Sequence, residues 1–327
     1  MKRLIISYAV LISVLILVFW LVGAFYASQG SAASVQFTIS PGDGVFSISQ
    51  NLARQGVLQS PLLFLIYSVF SGHYDKFQPG TYLLKQPLGI SNIVKAITSG
   101  PTEISVIIVP GMTLKEIDST LAKKGVIKSD SLISLNPAQF GDKYPFLKGV
   151  GSLEGFLLPD TYRFWLSMKP EDAAKIMLDN FYKKAWSQLS SSANPYKTLI
   201  VASYLEKEVV SMHDKQMVAG IINNRLKIGM PLQIDATVVY AACGGGFLNC
   251  GQISSSDFSI QSPYNTYKIV GLTPTPIGSP TPDSIKAAQT PIASSYLFYL
   301  SDSKTQKTIF SKTLQDHAVN RQKYLGL

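Results

Sequence analysis

The chain is poor in histidine, cysteine and charge. Three histidines (His73, His213 and His317) and two cysteines are spread over 327 residues. Neither type clusters at metal-ligand spacing, so no metal centre is expected, and the histidines read as surface or loop residues. No P-loop or dinucleotide fingerprint occurs, and "CGGGFLNCG" lacks the lysine and hydroxyl that phosphate binding needs. No bound cofactor is expected. A G-x-S-x-G elbow with a partnered histidine, which would activate a serine, is missing. So is any basic run of five or more residues interleaved with aromatics, which argues against nucleic acid as a partner. Only 15% of residues are charged and 46% are apolar, enough for a sizeable core in one large or two modest domains.

Charge is absent altogether from Leu4 to Ala27, directly after Lys2 and Arg3. Such a run suffices to span a bilayer, which needs about 20 residues, and the basic tip places the N-terminus in the cytoplasm. A cleaved leader is the rival reading, because "FYASQGSAAS" offers small residues to a peptidase; the apolar run is long for that, against roughly 7–15 residues. About seven residues then lead to the first strand at Val35, a reach of roughly 25 Å when fully extended. The body beyond Arg3 holds 27 basic against 20 acidic residues, a surplus that favours an anionic membrane face or an acidic polymer. Export also suits Cys243 and Cys250, which an oxidising compartment would close into a small loop.

A repeat lies in the first half. "ISPGDGVFSISQNLARQGVLQS" (39–60) and "IVPGMTLKEIDSTLAKKGVIKS" (108–129) align without a gap at an offset of 69. Each reads as a strand, a Pro-Gly turn and a helix stopped by glycine, with Val45, Ile48, Leu52 and Leu114, Ile117, Leu121 as buried stripes. The pattern resembles LysM, a sheet-and-helix module that binds N-acetylglucosamine polymers; a repeated packing unit without a ligand is the plainer reading. Between the copies "SPLLFLIYSVFSG" reads as a buried helix, "GTYLL" as a strand and "SNIVKAITSG" as a helix.

The second half carries the chemistry. "PEDAAKIMLDNFYKKAWSQL" is an amphipathic helix. From Tyr196 to Met212 a mostly buried helix is expected, and it holds "EKE" at Glu206–Glu208. At about 100° per residue Glu206 shares the apolar face of Ala202, Leu205 and Val209, while Glu208 lies some 200° further round. Desolvation there would raise the Glu206 pKa towards neutrality, as a general acid requires. A structural pairing with arginine is the alternative, and Lys207 and Glu208 read as lying outside the cleft centre. Asp214 is placed as the cap of the next helix, and "MPLQIDATVVYA" is read as an extended strand. The Pro- and Gly-rich "SPYNTYKIVGLTPTPIGSPTPDSIKAAQTP" supplies amides, hydroxyls and aromatic faces that suit sugar rings.

"LEGFLLPDTY", "ASYLEKE", "AGIINNRL", "PLQIDATVVYA", "YNTYKIVGLTPTPI" and "SIKAA" occur in the order found in the YceG-like endolytic murein transglycosylases, and the chain resembles that family along nearly its whole length. The resemblance implies a membrane-tethered lyase that cuts nascent peptidoglycan strands internally. Glu206 would be its acid/base. Glu154, Asn223, Arg225, Gln233, Asp235, Tyr240, Asn265, Thr266 and Tyr267 would line the glycan cleft. The chain departs from the family at Ser279, where asparagine is usual, at Thr308, where histidine is usual, and at Ala318, which follows His317 in place of asparagine; these put far-subsite contacts in question. The "CGGGFLNC" insertion is a further peculiarity.

One glutamate suffices for such chemistry, protonating the glycosidic oxygen and then taking the proton of the muramyl C6 hydroxyl as that hydroxyl attacks the anomeric carbon. Hydrolysis would need a second carboxylate, Asp235 or Glu154; a non-catalytic glycan-binding scaffold is the other class. Partners would be glycan strands and the cell membrane, with synthases or elongation and division proteins as candidates.

The expected fold is α+β. It consists of a cytoplasmic tip (1–3), a transmembrane helix (4–27), a linker (28–34), a LysM-like domain (35–102), a second LysM-like repeat with connector (103–150) and a catalytic domain (151–327).

Overall fold

The computed structural model describes residues 2–26, 34–85, 88–248, 250, 254–302, 305 and 307–326. The linker expected at 28–34 falls almost wholly outside them. The chain divides into two compact units, 1–104 with 164–168, and 105–163 with 169–327.

The smaller unit opens with helix α1 (Lys2–Tyr26), whose stretch Ile6–Tyr26 is long and apolar enough to cross a membrane. Strand β1 (Ser34–Ile39) pairs antiparallel with β2 (Gly80–Lys85), register Ser34 to Lys85 and Ile39 to Gly80. Helices α2 (Val45–Arg54), α3 (Pro61–Phe70) and α4 (Ile90–Thr98) close over this ribbon. Their apolar faces meet Phe37, Ile39, Tyr82 and Leu84 in one core.

The larger unit repeats the opening motif. Strand β3 (Glu103–Ile108) runs through Pro110-Gly111 into α5 (Leu114–Lys123). The element bounds sit 69 residues beyond those of β1 and α2. Helix ends match as well: Gly56 N–H donates to Ala53 and Val57 N–H to Leu52, just as Gly125 donates to Ala122 and Val126 to Leu121. Strand β4 (Asp160–Trp165) pairs with β3. Helix α6 (Pro170–Phe181) buries Ala174, Met177, Leu178 and Phe181 as its spacing predicts, then passes through a π turn into α7 (Ser187–Leu189). The long α8 (Pro195–Glu208), α9 (Met212–Lys227), α10 (Asp235–Ala242) and α11 (Pro282–Gln289) form the centre. A hairpin of β5 (Phe298–Ser301) and β6 (Thr308–Ser311) and helix α12 (Leu314–Leu325) complete it.

Four expectations need correction. Helix α8 ends at Glu208, because Val209 turns extended (φ −146°, ψ 152°), so "EKE" lies in its last turn rather than mid-helix. Ser211, not Asp214, caps α9; its hydroxyl accepts the Asp214 N–H at 3.1 Å. The stretch read as a strand is helix α10 from Asp235 onward: its β-branched residues suit a strand, but Thr237 and Val238 are fully buried against neighbouring helices, and packing overrides propensity. Helix α3, expected to be buried, shields only Phe64 and Ser68 fully.

Candidate functional site

Because α8 stops at Glu208, the three charges of "EKE" fan out from one helical turn into three different polar nests. Each is at least half-buried, and each has its own partners.

Glu206 faces the N-terminus of α11. Its Oε2 accepts from the Thr281 backbone N–H at 2.8 Å, the Thr281 hydroxyl at 2.7 Å and the Ser284 hydroxyl at 2.6 Å. Lys215 Nζ lies 3.5 Å from Oε1, and both side chains are more than nine-tenths shielded from solvent. Burial by itself pushes the carboxyl up, but the Ser284 and Thr281 donors and the Lys215 charge together outweigh it and hold Glu206 below the usual carboxylate range. The expected upward shift is therefore reversed. An apolar helix face in the sequence does not reveal donors that arrive from 75 or more residues away.

Lys207 turns to the other side. Its ammonium sits over the Phe247 ring at 3.6 Å from the centroid. Burial lowers its pKa despite the nearby carboxylates of Glu116, Glu154 and Glu206. Gly111, in a left-handed turn (φ +76°), makes room for it: a Cβ there would stand 3.0 Å from Lys207 Cε. Glu154 is buried beside this group. Both its oxygens accept the Leu114 N–H, at 3.0 and 3.1 Å, and Oε2 accepts the Tyr240 hydroxyl at 3.1 Å. Desolvation dominates and pushes Glu154 up to about 8.

Glu208 is buried and accepts from the Tyr299 hydroxyl at 2.9 Å; desolvation pushes it up to about 7. Asp235 adds to that rise and itself accepts from the Tyr267 hydroxyl at 2.5 Å. Lys207 and Glu208, like Glu206, are partly buried rather than exposed.

Several residues assigned to the cleft are structural ties. Arg225 donates from Nε to the Leu297 carbonyl at 2.6 Å and from an Nη to those of Leu232 at 2.7 Å and Pro231 at 3.2 Å, with Gln233 Oε1 at 3.5 Å. Asn265 is fully buried and donates to the Phe258 and Ile260 carbonyls. Thr266 bonds Thr237 and the Ile234 N–H, which orders the residues leading into α10. Asn223 stands apart. It lines a groove of about 700 Å³ with Lys197, Thr198, Lys286 and Gln289 and with apolar residues such as Val201, Leu226 and Leu272, where α8, α9 and α11 meet. Gly220, from "AGIINNRL", is required by close approach: a Cβ would fall 2.2 Å from the Ile292 carbonyl oxygen.

The positions read as departures from the family pattern also have places. Ser279 is buried; its backbone bonds Gly111 N–H and Met112 C=O, each at 2.8 Å, while its hydroxyl has no partner among the described residues. Thr308 donates to Asp214 at 3.1 Å, and His317 stacks on Phe298.

Cys243 and Cys250 form a disulfide with Cα atoms 5.7 Å apart. The loop it closes is clamped onto the start of α5. Glu116 Oε1 accepts the Phe247 N–H at 2.5 Å and the Leu248 N–H at 2.7 Å, and Lys115 donates to the Gly244 carbonyl at 3.2 Å. Opening so short a loop removes ~2–3 kcal/mol of chain-entropy stabilisation. Cys243→Ser with Cys250→Ser is therefore expected to lower the unfolding free energy by that amount, read as a fall in the urea midpoint at constant slope, and reduction of the native protein should do the same. An unchanged midpoint in the double variant would show that the contacts of Glu116 and Lys115 hold the loop without the disulfide.

No group of three or more His, Cys, Asp or Glu side chains among the described residues is arranged to hold a metal ion. What the geometry offers is acid–base chemistry by a buried carboxylate with hydroxyl and ammonium neighbours.

Comparison with known proteins identifies the family. The YceG-like family model matches residues 37–323. A Bacillus subtilis protein named endolytic murein transglycosylase is 32% identical over 318 residues, covering 91% of this chain and 87% of that protein. A Streptococcus pneumoniae protein of the same name is 28% identical over 317 residues, covering 86% of this chain but only 57% of its own greater length. A crystal structure of a yceG-like protein from Listeria monocytogenes superposes with a TM-score of 0.57 at 29% identity, covering 89% of this chain and all of that one. Matched from the first strand to the last helix and sharing its fold with a solved relative, the chain belongs to the YceG-like family.

Proposed function

We propose that this protein is a membrane-anchored endolytic murein transglycosylase, with Glu206 as the single acid and base. The observation that carries the reading is the Glu206 carboxylate, buried at the end of α8 and ringed by proton-bearing groups, in a chain whose relatives bear that name. As the acid, Glu206 gives its proton to the glycosidic oxygen between N-acetylmuramic acid and N-acetylglucosamine. As the carboxylate, it then takes the proton of the muramyl C6 hydroxyl while that oxygen bonds to the anomeric carbon. The product is a 1,6-anhydro end and water is not consumed. Thr281, Ser284 and Lys215 favour the carboxylate, the form needed in the second half of the cycle.

Residues 151–327 carry the reaction on this reading. Segments 35–102 and 103–150 are LysM-like modules, supported by the matching strand–turn–helix bounds and end bonds of their two openings. Helix α1 is the anchor of a single-pass protein whose N-terminus is cytoplasmic and whose body is outside, and the disulfide suits that compartment. Nascent glycan strands are the substrate, cut near the membrane where they are polymerised, alongside synthases or elongation and division proteins. The groove beside Asn223 and Lys286, of mixed polar and apolar lining, is assigned to the strand flanking the scissile bond. Mass spectrometry of glycan strands digested by the full chain tests the reaction: anhydro-muramyl ends are expected, and reducing ends would instead identify a hydrolase.

The lowered pKa of Glu206 sets the pH dependence. Since the free enzyme must hold the proton, kcat/KM should climb as pH falls towards that lowered pKa. Ser284→Ala removes a donor to the carboxylate, raises its pKa and should move the climb to higher pH. An unmoved profile would remove Glu206 from the titrating role.

A further inference from the structure

Helix α3 carries no charge and is apolar nearly all round, "PLLFLIYSVF". Helices of that kind are normally covered on every side or sit in lipid. Here Leu62 is 65% exposed, Val69 60% and Phe70 88%. At about 100° per residue, Leu62, Ile66, Val69 and Phe70 fall on the side of α3 away from the buried Phe64. Tyr74, just beyond the helix, is exposed too.

This bare face adjoins the end of the apolar N-terminal helix. Phe25, in the last turn of α1, meets Tyr67 of α3 with ring centroids 5.3 Å apart and packs on the core of the same unit. The carbonyls of Phe25 and Tyr26 close on Gly89 at the start of α4, where a Cβ would stand 2.9 Å from the Tyr26 oxygen. The anchor therefore does not hand over to a free tether at this point; its last turn is built into the unit. With α1 across the bilayer, α3 is brought to the depth at which the span ends, the zone that aromatic side chains favour.

We propose that the outer face of α3, centred on Leu62, Val69 and Phe70, is a lipid-docking surface. It seats the smaller unit in the headgroup region of the outer leaflet instead of letting it swing. The inference rests on the reading of α1 as an anchor. Anionic lipid suits it, given the positive surplus of the body.

The test uses the full chain in vesicles of phosphatidylethanolamine and phosphatidylglycerol, with an environment-sensitive dye on Phe70→Cys, Leu62→Cys, Val22→Cys or Lys124→Cys. The native cysteines are paired and stay unlabelled. Dyes at positions 70 and 62 are expected to be quenched by nitroxide lipids labelled near the headgroup, and to be shielded from aqueous iodide severalfold relative to position 124. If both stay open to iodide while the dye at 22 is quenched by lipid nitroxides, the anchor stands and the docking is wrong. Shielding from iodide without lipid quenching would mean that protein, such as a second copy of the chain, covers the face, and would also overturn it. If the dye at 22 is not quenched by lipid, the anchor reading fails and the docking fails with it.

Discussion

Glu206→Gln is expected to abolish cleavage while leaving the fold intact. Loss of general acid–base catalysis is worth ~10²–10⁴-fold, and a glutamine amide neither donates a proton to an oxygen leaving group nor accepts one from the C6 hydroxyl. The side chain still fits, because its remaining oxygen accepts from Ser284 and Thr281 as the carboxylate did. A stability difference accompanies the change and has a definite sign. The folded pKa of Glu206 is depressed, so its ionised form stabilises the native state above the ordinary carboxylate range, and that contribution fades as pH falls through the folded value. The variant should thus be less stable than wild type at neutral pH, and the gap should close in acid. Turnover of anhydro-ended product, read beside a urea titration at both pH values, checks each half. A variant that kept more than about a tenth of wild-type turnover, set against the ~10²–10⁴-fold expected, would move the assignment to another carboxylate, with Glu208→Gln the next to test.

How far the sequence discloses this site depends on whether its determinants are local. The Pro-Gly turns, the glycine stops and the apolar stripes at Ile48, Leu52, Ile117 and Leu121 are local, and the structure has them where the periodicity puts them. Glu206 stood out because a carboxylate on an apolar helix face is costly unless something compensates. The compensation is not local. Thr281 and Ser284 lie in a Pro-rich stretch that reads as loop, and only the packing of α11 on α8 brings them to Oε2. The same distance effect inverted the expected pKa of Glu206, and it hid the burial of Glu208 under Tyr299. Helix α10 departs from its sequence pattern for the opposite reason: its β-branched residues carry a local preference that tertiary contacts overrule. Motif membership, finally, does not separate residues that face substrate from residues that hold the motif together. Asn265 and Thr266 are fully buried and spend their hydrogen bonds on their own scaffold.

Arg225 makes that distinction measurable. Its guanidinium is buried, with a side face against the Phe298 ring at 5.1 Å and donors on the carbonyls of Leu297, Leu232 and Pro231. These carbonyls belong to two backbone stretches that α9 must hold: the turn before α10 and the entry to β5. Arg225→Met keeps much of the aliphatic volume but strands the acceptors away from water, at roughly 1–3 kcal/mol for each one left unpaired. The expected loss is at least about 3 kcal/mol, seen as a large fall in the urea midpoint at constant slope. Arg225→Lys should recover little, since a single ammonium does not reproduce the planar fork that reaches Leu297 and Leu232 together. A glycan-contacting arginine would behave differently: KM would rise in both variants while the denaturation curve stayed in place. If Arg225→Met unfolds at the wild-type midpoint yet binds strands poorly, Arg225 belongs to the cleft after all. If the midpoint falls and the surviving folded fraction keeps its KM, its place is in the scaffold that carries Glu206.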